Sequence, residues 1–231
     1  MKMKKQLSIL FTGLLLATYA GNAQQSARPV DWAAFGRYEK ANAQVTSPPK
    51  AVFLGNSITD MWWGADSAFF KSNNYLGRGI GGQTTAEMLV RFRADVINHK
   101  PKAVVILAGT NDIAQNIGYI SLENIFGNIV SMAELAGANN ILPILCSILP
   151  VYDYRWRPGL EPAGKIIQLN TWIKEYAENN GFVYVDYHSA LKDERDGLPE
   201  TYSTDGVHVN IDGYKIMEQI VHEAITKALP M

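Results

Sequence analysis

Ala51-Val52-Phe53-Leu54-Gly55 is an unbroken apolar run that stops at a glycine. A strand with one wet face alternates apolar and polar side chains. A run with no polar member suits a strand buried on both faces, as in a parallel sheet between helical layers. Residues 103–108, 140–149 and 182–185 repeat the pattern. Between these runs the apolar period becomes helical. Met88, Leu89, Phe92 and Val96 follow a Thr84-x-x-Glu87 capping box, and Leu122, Ile125, Ile129, Met132 and Ala136 run up to Gly137. Ile166, Leu169, Ile173 and Tyr176 run up to Gly181, and Tyr214, Met217, Ile220, Ala224 and Ile225 form the last such stripe. Strands alternating with helices predict a parallel three-layer α/β/α sandwich.

Outward from this core, residues 28–44 read as an exposed helix docking through Trp32, Phe35 and Tyr38, and Thr46-Ser47-Pro48-Pro49 ends it. The chain therefore divides into residues 1–23, an N-terminal helix and linker over 24–49, and an α/β domain over 50–231. The first segment has the form of a secretory signal: Lys2, Lys4 and Lys5, an apolar stretch over 7–20, then Gly21-Asn22-Ala23, with cleavage expected after Ala23. That stretch is short for a membrane span, so no stable membrane insertion is expected after cleavage. A secreted or periplasmic location follows. No cysteine stands directly after the signal, which argues against a lipid anchor. Cys146 is the single cysteine of the 231 residues, so stability must come from the core rather than a disulfide. Losing three lysines with the signal leaves 18 basic against 22 acidic residues, and that balance disfavours a nucleic-acid partner. Four scattered histidines and one cysteine give no zinc-ligand spacing, so no metal or cofactor is expected.

Four segments carry usable chemistry: Gly55-Asn56-Ser57-Ile58-Thr59, Gly79-Ile80-Gly81-Gly82-Gln83-Thr84, Gly109-Thr110-Asn111-Asp112 and Asp205-Gly206-Val207-His208. A serine hydroxyl is a poor nucleophile until an imidazole takes its proton, and the imidazole needs a carboxylate to fix its tautomer. The glycine-rich and amide-bearing turns can donate hydrogen bonds to an oxyanion. Of Asn111 and Asp112, only the first carries a donor when the carboxyl is ionised, which makes Asp112 a helix cap or supporting acceptor. Ser57 also reads as a plain helix cap, and Asn111 as an Asx turn. Asp186 and His188, two apart, form a rival dyad; His99 and His222 read as surface residues. Gly77-x-Gly79-x-x-Gly82 matches the dinucleotide fingerprint, but Asp95, the only acidic residue at the right distance, falls inside a helical period.

Those four blocks, in that order, resemble the SGNH hydrolases, the GDSL-type esterases and lipases, from about Lys50 onward. The resemblance implies a flavodoxin-like SGNH fold with a mostly parallel five-stranded sheet. It assigns Ser57, Asp205 and His208 as catalytic triad, and Ser57, Gly82 and Asn111 as oxyanion donors. Asn56 departs from the family pattern, which has aspartate there. The implied activity is hydrolysis of carboxylic esters, with short acyl groups on a carbohydrate or similar alcohol as substrate. A lysophospholipase or thioesterase and a catalytically silent carbohydrate-binding protein on the same fold are the alternatives. Trp62 and Trp63 just past the serine, and Tyr152, Tyr154 and Trp156 on the Asp- and Arg-bearing loop 152–157, are candidates for the substrate-binding wall.

Overall fold

A computed structural model of the protein describes residues 31–230. A 3-10 turn at Phe35–Arg37 and helix α1 (Glu39–Ala43) precede strand β1 (Ala51–Gly55). Then follow α2 (Ser57–Ala65), α3 (Ser67–Ser72), β2 (Tyr75–Gly79), α4 (Thr85–Asp95), β3 (Ala103–Leu107), α5 (Thr110–Ile113) and α6 (Leu122–Ala138). The rest is β4 (Leu142–Cys146), α7 (Pro162–Asn179), β5 (Val183–Val185), α8 (Tyr187–Leu191) and α9 (Ile211–Ala228). The strands pair in parallel in the order β2-β1-β3-β4-β5.

Strand alternation distributes the apolar runs between two cores. Val52, Leu54, Val104, Ile106 and Leu145 face α4, α6 and α7. Ala51, Phe53, Val105, Leu107, Ile144 and Cys146 face α2, α3, α8 and α9. Each run lacks polar residues because both of its faces are covered.

Two parts differ from the sequence reading. β2 does not show as an apolar run, since Tyr75-Leu76-Gly77-Arg78-Gly79 carries two glycines and an arginine; as an edge strand it pairs only with β1. Residues 32–44 form a broken strap rather than one helix, with Ala34 in the left-handed region at φ 56° between turn and chain. Trp32 and Phe35 stay exposed, while Tyr38 is half-buried and donates its hydroxyl to the Gly79 carbonyl. Residues 28–30 and the signal-like segment 1–23 lie outside the described residues.

The strand order reverses direction at β1, and β1 and β3 leave the sheet toward opposite faces. In doubly wound sheets the ligand crevice lies beyond the carboxyl ends of such strands. In-register pairing brings Gly55, Gly79 and Leu107 level at that edge. Ser57, Gly82 and Asn111 follow by two, three and four residues.

Candidate active site

Ser57 is the first residue of α2, and Asn56 caps that helix by accepting the Ile58 N–H on Oδ1 at 3.0 Å. An amide oxygen caps as well as a carboxylate does, which accounts for Asn56 at this position. The first turn of α2 lies hard against the sheet. A Cβ on Gly79 would fall 2.1 Å from the Asp60 backbone nitrogen, so only glycine permits this approach. Tyr214 of α9 fastens the same turn through its hydroxyl, 2.7 Å from the Ile58 carbonyl.

Ser57 Oγ lies 2.8 Å from His208 Nε2, and His208 Nδ1 lies 2.7 Å from Asp205 Oδ2. Asp205 Oδ1 accepts the backbone N–H groups of Val207 and His208 at 2.9 and 2.8 Å, and the Ser203 hydroxyl at 3.1 Å. The carboxylate is therefore held by the turn that carries the imidazole. Burial raises the Asp205 carboxyl, but the hydrogen bonds from His208 and the two N–H groups outweigh it and hold it at about 2. The carboxylate stays charged wherever the imidazole can act as a base. Asp186 and His188 do not form a dyad: Asp186 caps α8 by accepting the Ser189 N–H, and His188 is buried with Nε2 lacking a partner among the described residues.

The turn after β2 shows where a developing negative charge could be received. The Ile80 N–H goes to the Gly55 carbonyl, the Gly81 N–H to Asp60 Oδ2, and the Gln83 N–H to the Ile80 carbonyl. The Gly82 N–H is donated to none of the described residues. Gly82 sits at φ +78° with open space where a Cβ would be, so its glycine serves the backbone conformation. A Cβ on Gly81 would lie 3.9 Å from Ser57 Cβ, which places this turn beside the serine. Asn111 Nδ2 donates to the Gln83 carbonyl at 2.9 Å, an acceptor that fixes which end of the amide is nitrogen. Its second N–H has no acceptor among the described residues. Asp112 accepts Thr85 N and Oγ1 at 2.9 and 2.6 Å, a supporting role, and burial pushes its carboxyl up to about 6 against those bonds.

The aromatic candidates separate. Trp62 is 1% exposed, donates Nε1 to Glu218 and packs on Phe69 and Tyr214. It belongs to the core because helical period turns it inward, a correction to its placement at a pocket mouth. Tyr154 is likewise buried, its hydroxyl 2.8 Å from Thr110 Oγ1 and 2.9 Å from the Thr110 carbonyl, so it braces the Asn111 turn instead of meeting ligand. Trp63 packs beside Phe70 under Lys71. Tyr152 and Trp156 are exposed. Asn116, which no motif singles out, joins Trp156 to the site: it accepts Trp156 Nε1 at 3.4 Å and donates to the Gly82 carbonyl at 3.2 Å. His99, read as a surface residue, is buried with Nε2 2.9 Å from Asn42 Oδ1; His222 is half-buried beside the Tyr75 hydroxyl.

Residues 53–216 match the model of the GDSL-like lipase/acylhydrolase family. The chain belongs to that family. This acylhydrolase is 47% identical to a solved acylhydrolase structure from Bacteroides fragilis, over 87% of this chain and 99% of that one, with a TM-score of 0.84. An acetylxylan esterase from Geobacillus stearothermophilus shares the fold at 20% identity, covering 78% of this chain and 94% of that one, with a TM-score of 0.64. A lipoprotein from Bacillus subtilis is 37% identical over 81 residues, 34% of this chain and 33% of the lipoprotein. The chain spans 33% and 42% of the curated relatives it matches. Membership places the chain among the GDSL-like lipases and acylhydrolases. Among its described residues no helix is long and apolar enough to cross a membrane.

Proposed function

We propose that the protein is a secreted serine esterase that removes short acyl groups, acetyl above all, from a carbohydrate or similar alcohol. Ser57 attacks the ester carbonyl while His208 Nε2 takes its proton, and Asp205 holds the imidazole and the imidazolium that forms. The tetrahedral oxyanion is received by the Ser57 and Gly82 N–H groups and the Asn111 amide. His208 then protonates the departing alkoxide, the C–O bond breaks, and an acyl-Ser57 ester remains. Water, deprotonated by His208, hydrolyses it.

The observation that carries this reading is the continuous 2.8 and 2.7 Å linkage from Ser57 through His208 to Asp205, next to a Gly82 N–H without a partner among the described residues. The carbohydrate side rests on three supports: an exposed Trp156 linked through Asn116 to the glycine turn, the esterase from Geobacillus that shares the fold, and a signal-like N-terminus consistent with substrates outside the cell. The kinship to a lipoprotein fits the same location.

The test is acyl release from p-nitrophenyl esters of rising chain length and from acetylated xylo-oligosaccharides, with Ser57→Ala run beside the wild type. The reading expects Ser57→Ala to lose several orders of magnitude in kcat while staying folded, and a fluorophosphonate to label the wild type at Ser57. An unlabelled Ser57, or a variant with undiminished turnover, refutes it.

A further inference from the structure

The turn that carries Gly81 and Gly82 is gripped from outside by residues ahead of position 53, where the family match begins. Tyr38 donates its hydroxyl to the Gly79 carbonyl. The Ala33 carbonyl accepts Gln83 Nε2 at 2.9 Å. Arg37 Nη2 lies 3.1 Å from Asp60 Oδ1, and the other oxygen of Asp60 accepts the Gly81 N–H at 3.2 Å. Behind the turn, fully buried Arg91 bonds Gln83 Oε1 at 2.6 Å, the Gly55 carbonyl at 3.0 Å and Asp95 at 2.9 Å, while Asn42 of the strap joins Asp95 and Arg78. The strap and this buried network together fix the Gly79, Gly81 and Gln83 groups that bracket the Gly82 N–H.

Among these contacts the Arg37–Asp60 pair has a consequence for chemistry. Asp60 stands one helical turn past Ser57 and holds the peptide next to Gly82. Its anionic carboxylate anchors the turn by a charge-assisted bond, yet opposes any second negative charge forming nearby. The Arg37 guanidinium cancels that charge and fixes the carboxylate's rotamer. Arg37 and Asp60 side chains are 51% and 28% exposed, and a pair so open to water contributes little to folding stability.

We propose that the N-terminal strap is a working part of the active site, with Arg37 a positioning residue that, through Asp60, orders the oxyanion turn and removes the charge opposing the oxyanion. The inference rests on the esterase reading, and the experiment separates the two. In the full-length protein, Arg37→Ala should lower kcat for p-nitrophenyl acetate about tenfold with KM within about twofold and an unchanged melting temperature. Arg37→Lys should keep most of the activity. Asn at position 60 retains an acceptor for the Gly81 N–H without charge, so Asp60→Asn added to Arg37→Ala should restore kcat to within about threefold of the wild type. A role confined to holding the strap in place would not be rescued by deleting the partner's charge. Arg37→Ala with wild-type kcat, or a double variant as slow as Arg37→Ala, overturns the proposal. Ser57→Ala is measured in parallel. If it retains turnover the esterase reading falls; if it is inactive while Arg37→Ala matches wild type, only the role of Arg37 falls.

Discussion

Asn111 has one N–H committed to the Gln83 carbonyl and a second with no acceptor among the described residues, so on the proposed reading the amide is preset rather than recruited by substrate. A preset donor strengthens as the carbonyl oxygen gains charge and matters less to ground-state binding. Asn111→Ala should therefore lower kcat by about 10²–10³-fold with a small change in KM, and steady-state kinetics on p-nitrophenyl acetate measure it directly. Asn111→Asp should be at least as harmful, because an ionised carboxylate offers no donor. The neighbouring Asp112 allows a test of the electrostatics. Burial holds its carboxyl up at about 6, above its value in an unfolded chain, so the folded protein binds that proton more tightly. Its stabilising proton is fully in place below the unfolded value, near 4, and is lost as pH rises through about 6. Urea denaturation of wild type and Asp112→Asn should accordingly show wild type losing ground to the variant between about pH 4 and 6, with the difference constant above. A difference independent of pH across that window would mean the carboxyl is not raised.

At the scale of elements, the site depends on how closely α2 meets the sheet. A methyl at Gly79 would overlap the Asp60 backbone, which cannot move without shifting the helix that begins at Ser57. Gly79→Ala should destabilise the fold by about 3 kcal/mol and displace Ser57 from His208, so activity falls further than stability alone requires. Gly64, in the same helix with nothing near its would-be Cβ, supplies the contrast: Gly64→Ala should stabilise by about 0.5–1 kcal/mol in the same denaturation experiment. The elements legible in the sequence were those whose burial is uniform, as in β1 and β3, or periodic, as in α4, α6, α7 and α9. β2 was illegible because Gly79 serves close packing and Arg78 is buried through partners distant in sequence, Asn42 among them. The strap failed for a related reason: its turns are fixed by contacts to Gly79, Gln83 and Asp95, none of them local.

For the whole molecule, chemistry was more legible than recognition. Ser57, Gly82, Asn111, Asp205 and His208, the residues of the proposed chemistry, stand in short sequence blocks, and the fold brings them to one edge. Asp60, Arg91 and Asn116 act through partners 21, 36 and 34 residues away, which no local pattern records. Aromatic residues mislead in the opposite sense, since the same Trp or Tyr serves core and surface: Trp62 and Tyr154 went inward while Tyr152 and Trp156 stayed out. The edge where Ser57, His208 and Asp205 lie is open, with the His208 and Asp205 side chains 27% and 41% exposed and Gly81 and Gly82 at the surface. An open site suits a small acyl group on a bulky alcohol. A long acyl chain instead needs apolar walls to leave water, at about 0.8 kcal/mol for each methylene. The ester panel should therefore fall in kcat/KM from acetyl toward decanoyl. Trp156 is joined through Asn116 to the Gly82 turn and packs on Tyr154; on the proposed reading it meets the alcohol, so Trp156→Ala should raise KM for acetylated xylo-oligosaccharides about tenfold and leave p-nitrophenyl acetate turnover nearly unchanged. Tyr154→Phe should behave differently, lowering kcat on both substrates because it loosens Thr110 beside Asn111. A profile that climbs with chain length would require an apolar channel at this edge and would turn the substrate from an acetylated glycan to a lipid or thioester.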